Sequence, residues 1–78
     1  MGSDDALDVL KSVNNLAQIY VEAGRFADAE PLARDILERA RRVLGNDHQE
    51  TQTYVNNLAI VDRNLGKLDE AEKLYREG

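Results

Sequence analysis

The sequence predicts an all-α fold built from antiparallel helical hairpins, and three observations carry that prediction. The phrase "VNNLAQIY" at residues 13–20 returns as "VNNLAIVD" at residues 55–62, apolar residues recur at spacings of three and four, and glycines fall where helices must stop. Sliding the chain on itself by the 42 residues between Asn15 and Asn57 aligns far more than the opening phrase. Val13, Asn14, Leu16 and Ala17 meet Val55, Asn56, Leu58 and Ala59, while Gly24, Ala29, Glu30, Leu32 and Arg34 meet Gly66, Ala71, Glu72, Leu74 and Arg76. Arg25, Phe26 and Asp28 meet the similar Lys67, Leu68 and Glu70. The reading is one domain over residues 5–78, with a first copy at about 5–44, a shortened second copy at about 47–78, and residues 1–4 outside the folded unit.

Each copy divides into two helices. In the first, Leu10, Val13, Leu16, Ala17 and Tyr20 share one face at helical spacing. Asp5 with Asp8, matched by Asp47 with Glu50, reads in each copy as an N-cap carboxylate followed by a second acid three residues on. Gly24 ends the first helix, because the left-handed residue after a helix is cheapest without a Cβ. The second helix is expected to begin near residue 27 or 28, with Asp28 and Glu30 at the positive end of its dipole and Pro31 tolerated in the first turn. Its buried stripe is predicted as Ala29, Leu32, Ala33, Ile36, Leu37, Ala40 and Val43. Gly45 and Asn46 break the chain, Asp47 is expected to cap the third helix, Gly66 to close it, and the fourth helix to begin near Asp69.

Composition narrows the function. A chain of 78 residues buries only roughly 60–65% of its unfolded surface. It has no Cys to cross-link and no Cys/His cluster for structural zinc, so no metal, cofactor or disulfide is expected. His48 lacks a Cys partner, no nucleophile motif surrounds any Ser, and the acids beside His48 read as capping groups; no catalytic residue is predicted. The formal charge of −5 opposes attraction to nucleic acid or anionic lipid. No apolar run has the length of a membrane span and the start lacks a signal-peptide pattern, so the chain reads as soluble and cytoplasmic.

The residues assembled above resemble tetratricopeptide repeats, and more narrowly the 42-residue variety found in kinesin light chains. "NNLAQIYVEAGRFADAEPLARDILERARRVLGNDHQET" is similar to that repeat over nearly its full length. The resemblance implies a right-handed stack of helical hairpins, a short α-solenoid, in which small Ala17 and Ala29 let helices approach while Tyr20 and Phe26 fill the space between them. It also implies a concave groove, lined by the first helix of each hairpin, that holds peptides without catalysis. Asn46 and Gln49 stand where the family usually carries loop prolines, and Asp62 takes the place of Tyr20 on a packed face. An unpaired carboxylate there is costly, so Asp62 is expected to reach solvent or to find Arg63 or Lys67.

Two interaction readings follow. Opposite the apolar face of the first helix lie Lys11, Asn15, Gln18 and Glu22, and the same phase in the second copy gives Thr53, Asn57, Ile60 and Asn64. This stripe is the candidate peptide-binding groove, since amides offer donors and an acceptor to an extended backbone; the plain alternative is an ordinary solvated helix face. Asn14 and Asn56, nearer the packed face, are expected to bond to a neighbouring helix. The arginines Arg34, Arg39, Arg41 and Arg42 read as dipole complements and as partners in pairs such as Glu30–Arg34 and Glu38–Arg42. The other reading is self-association. Gly78 stands at the place of Ile36, so the second copy lacks counterparts of Leu37 to Arg42 and no polar helix covers the stack. Leu10, Leu68, Leu74 and Tyr75 are the candidate contacts of a homo-oligomer formed by end-to-end stacking, or by domain swapping if the second and third helices straighten across Gly45.

Overall fold

The computed structural model describes residues 3–77, and side chains from Leu7 to Arg76. Four helices follow in order: α1 Ser3–Glu22, α2 Phe26–Val43, α3 Gln49–Asn64 and α4 Leu68–Glu77. Each packs on the next in sequence, α1 on α2, α2 on α3 and α3 on α4, and no strand occurs among the described residues. This is the all-α array of helical hairpins that the period predicts.

The two copies close their first helices with the same chemistry. Gly24 and Gly66, 42 positions apart, adopt φ 76° and 85°. The N–H that follows each glycine reaches back five residues, Arg25 to the Tyr20 carbonyl and Lys67 to the Asp62 carbonyl, both at 2.8 Å. A left-handed glycine followed by this long back-bond satisfies the last carbonyls of a helix and turns the chain into the next one. Open space surrounds the position a Cβ would take at either glycine, so backbone conformation, not crowding, selects the residue.

The helix starts depart from expectation. α1 begins at Ser3, so Asp5 lies inside its first turn, with its side chain outside the described residues. The cap of α3 is His48, not Asp47: His48 has an extended backbone, φ −69° and ψ 140°, and its ring Nδ1 accepts the Glu50 N–H at 3.0 Å. Asp47 stands one residue too early and is exposed. α2 starts at Phe26, which makes Pro31 its sixth residue rather than a member of the first turn. The proline ring offers no N–H to the Ala27 carbonyl, but Ala27 is exposed, so water can serve that oxygen.

The core gathers Leu10, Ala33, Ile36, Leu37, Ala40, Tyr54, Val55, Leu58, Ala59 and Leu74, with Val13 and Leu44 packed against it. Alanines at 33 and 40 keep the α2 surface low where Thr51 Oγ1 donates to the Ala40 carbonyl across the two helices, 3.5 Å away. Tyr54 is wholly buried, yet its hydroxyl reaches the edge and donates to Glu50 Oε2 at 3.2 Å. Burial, with the Glu50 charge beside it, pushes this phenol up to about 12. Two predicted core positions are corrected. Val43 is 51% exposed at the last position of α2, while Leu44 just beyond it packs against the core; Leu16 is 43% exposed, because no described element packs on its side of α1.

The His48 cap gives a direct test in urea denaturation. His48→Ala removes the acceptor and is expected to cost about 1 kcal/mol, whereas His48→Asn, with an oxygen in the same role, stays within a few tenths of the parent.

Candidate interaction surfaces

Three surfaces stand out, one apolar and two polar. The apolar one follows from the repeat. On α3, Thr51, Tyr54, Leu58 and Val61 form the side that packs into the array, and all are 2% exposed or less. Their counterparts 42 residues earlier are Val9, Ser12, Leu16 and Ile19, at the same phase on α1. Val9 is 48% exposed, Leu16 43% and Ile19 60%, and Ser12 is exposed too. The same helical face is thus covered in one copy and open in the other. Sequence reading missed Val9 and Ile19 because it followed a single apolar face; α1 is apolar on two sides, and mapping each residue to its partner in the second copy finds the second.

The predicted association residues divide. Leu68 and Tyr75 on α4 are exposed, 63% and 44%. Leu10 and Leu74 lie in the chain's own core, 2% and 8% exposed.

The residues expected to line the groove are in part engaged within the chain. On α1, Lys11, Asn15 and Glu22 are exposed and Gln18 half-buried. On α3, Thr53 Oγ1 donates to the Gln49 carbonyl at 3.2 Å and Asn64 Nδ2 to the Ile60 carbonyl at 2.8 Å. Asn57 Nδ2 donates to Asn14 Oδ1 at 3.0 Å, tying α3 to α1 through half-buried amides. Asn14 therefore makes the interhelix bond expected of it, while Asn56 is exposed and makes none among the described residues.

The third surface lies where α2, α3 and α4 meet. Asp62 is 1% exposed and neither of its carboxylate oxygens has a hydrogen-bond partner as an anion. It reaches neither solvent nor the expected cations: Arg63 points outward, and Lys67 Nζ binds Glu30 Oε2 instead. Arg34 reaches the same Glu30 oxygen at 3.3 Å and Glu70 Oε2 at 3.5 Å. Oxygens of Glu30, Asp62 and Glu70 lie within 4.8 Å of one another. That spacing alone would suit a hard cation, but Lys67 and Arg34 already bring positive charge to Glu30, and the Asp62 oxygens have essentially no accessible surface. The cluster is an ion-pair network with one carboxyl left over.

The protonation states follow from those contacts. Loss of water is the main force that raises the Asp62 carboxyl to about 6, and a hydrogen bond to Glu30 with the Glu30 charge adds to it, against the pull of Arg34. Glu30 moves the other way, held below the ordinary carboxylate range chiefly by its bond from Lys67. A cleft of about 280 Å³ opens beside the junction, walled by Leu37, Leu58 and Leu74 and rimmed by Arg34, Glu70 and Lys73. Elsewhere Arg39 pairs with Asp35 at 3.2 Å, while the predicted Glu38–Arg42 pair does not form among the described residues.

A family model described as tetratricopeptide repeat matches residues 6–78, nearly the whole chain. Comparison with curated proteins gave no match.

The Asn14–Asn57 bridge can be measured by a double-mutant cycle. Asn14→Ala, Asn57→Ala and the double variant are expected to show a coupling of about 0.5–1 kcal/mol in chemical denaturation, as for a partly buried neutral hydrogen bond.

Proposed function

Because the chain belongs to the tetratricopeptide repeat family, we propose that it is a non-enzymatic protein-interaction module of the 42-residue variety, and that it associates with further copies of itself by stacking helices end to end. What carries the reading is the open face Val9, Ser12, Leu16 and Ile19, whose counterparts Thr51, Tyr54, Leu58 and Val61 are buried within the array. The chain thus contains a template for what covers such a face: a helix with alanines where backbones meet and branched residues beside them, as in Ala33, Ile36, Leu37 and Ala40. At the opposite end Leu68 and Tyr75 supply exposed apolar surface on α4, the counterpart of α2. A head-to-tail contact of this kind repeats without closing unless its rotation returns to the start.

Magnitudes set the strength. Each half-exposed apolar side chain gains about 1 kcal/mol on full burial, so the five residues together supply about 5 kcal/mol. That is near the low end of the cost of lost translation and rotation, roughly 4–15 kcal/mol, so the contact is weak and concentration-dependent. Peptide binding in the groove is a second reading, supported on the α1 half, where Lys11, Asn15 and Glu22 are exposed and Gln18 half-buried. Thr53, Asn57 and Asn64 on the α3 half already spend a hydrogen-bonding group inside the chain.

Light scattering coupled to size-exclusion chromatography over a hundredfold concentration range tests the stacking. The apparent mass is expected to rise with concentration in the parent and to stay at 8.8 kDa in Leu16→Glu and Ile19→Glu, which alter exposed positions and keep the helical circular dichroism. A strict monomer at the highest concentration rejects stacking. Saturable chemical-shift changes at Lys11, Asn15 and Gln18 on adding peptides would then favour the groove.

A further inference from the structure

We propose that the Asp62 carboxyl is a proton-operated latch on α4: protonated, it donates to Glu30 and lets α4 close over it, and once ionised it loosens α4 from α2 and α3. The inference rests on the junction itself and not on stacking or peptide binding.

Three observations lead there. As an anion Asp62 is buried with both oxygens unpartnered, and such a group costs several kcal/mol or takes up a proton. As an acid it has a neighbour, because a protonated carboxyl donates one hydrogen bond and Glu30 is the acceptor beside it. Every charged group that faces it is already committed. α2 brings Glu30 and Arg34, the turn after α3 brings Lys67, and α4 brings Glu70; Lys67 and Arg34 bind Glu30, and Arg34 also holds Glu70. Glu38, Arg41 and Lys73 stand farther out, along the cleft. Arg63, next in the chain, is exposed.

The geometry also says which element gives way. α2 and α3 share most of the core, from Ala33 and Ile36 to Tyr54, Val55 and Leu58. Among its described residues α4 buries Ala71 and Leu74, and its ties to α2 are the exposed Arg34–Glu70 pair and the Lys67–Glu30 pair in the turn before it. Swinging α4 away is therefore the cheapest way to return water to an ionised Asp62.

The sign follows from linkage. The closed form keeps the Asp62 proton up to about 6, against an ordinary 3.8 when open. Closure is therefore favoured fully below the ordinary value, and the advantage is lost as pH rises through about 6. Glu30 acts in the opposite sense, but only below its ordinary 4.5, so between about pH 5 and about pH 7.5 the latch is read alone.

Amide hydrogen exchange by NMR at about pH 5 and about pH 7.5, corrected for the intrinsic rate, reads the opening of each helix, with a separate carboxyl-carbon titration for Asp62. The opening constant of the α4 amides is expected to exceed that of Ile36 and Leu37 at both pH values and to be about tenfold larger at the higher one. The Asp62 carbon should titrate near 6, and Asp62→Asn should remove the pH dependence of α4. An Asp62 carbon that titrates in the ordinary carboxylate range overturns the proposal even if the variant fails to fold. So does an α4 opening constant equal to that of the core amides, unchanged between the two pH values, or still pH-dependent in Asp62→Asn.

Discussion

The seating of α3 against α2 is the contact from which the other features derive. Tyr54 and Leu58 are buried completely in a core where α2 presents alanine at 33 and 40. A larger residue at any of these places would hold the backbones apart, lengthen the Thr51 hydroxyl bond to Ala40, and leave the tyrosine ring wet. Once α3 is fixed in this way, its remaining sides are assigned: Asn57 meets Asn14 on α1, and Asp62 is carried into the angle between α2 and α4. The polar bridge and the buried acid are consequences of one apolar interface.

That interface also explains why two nearly identical phrases live in different surroundings. "VNNLA" occurs at 13–17 and again at 55–59, yet Leu16 is 43% exposed and Leu58 is 2% exposed. The phase of each leucine about its helix is the same; what differs is whether a helix stands in front of it. Periodicity fixes the direction in which a side chain points, and burial depends on what occupies that direction. In a repeat fold the occupant belongs to a neighbouring copy, so an apolar face without one is surface left open by the geometry of translation along the array.

This distinction marks what could be read from the sequence. The four helices, the glycine turns at 24 and 66, the Glu30–Arg34 pair and the interhelix role of Asn14 were all legible, because each depends on local backbone preference or on spacing along one helix. The His48 cap was not: a ring nitrogen replaces the usual oxygen, and only the extended backbone at 48 shows that the helix begins one residue after the aspartate. How deeply Leu10 and Leu74 sit in the core was not legible either, because their neighbours across it are distant in sequence. The open face escaped for the converse reason, since nothing local distinguishes Ile19, exposed, from its buried counterpart Val61.

Asp62 is the instructive failure. Sequence reasoning saw a carboxylate where the first copy has Tyr20 and offered it Lys67, five residues on. In the first copy the equivalent cation, Arg25, lies over the Tyr20 ring, 5.2 Å from its centre. In the second copy Lys67 turns instead to Glu30, a choice that depends on α2 and cannot be seen within α3. The competition is decided by solvation. Glu30, with 17% of its side chain exposed, keeps some water and receives two cations; Asp62 has lost nearly all its water and would require a cation to be buried with it, at several kcal/mol per ion. With Glu30, Asp62 and Glu70 sharing Arg34 and Lys67, one negative charge is in excess. Neutralising it by a proton costs least at the carboxyl that water no longer supports, so the burial imposed by the α2–α3 interface selects which of the three acids holds the proton.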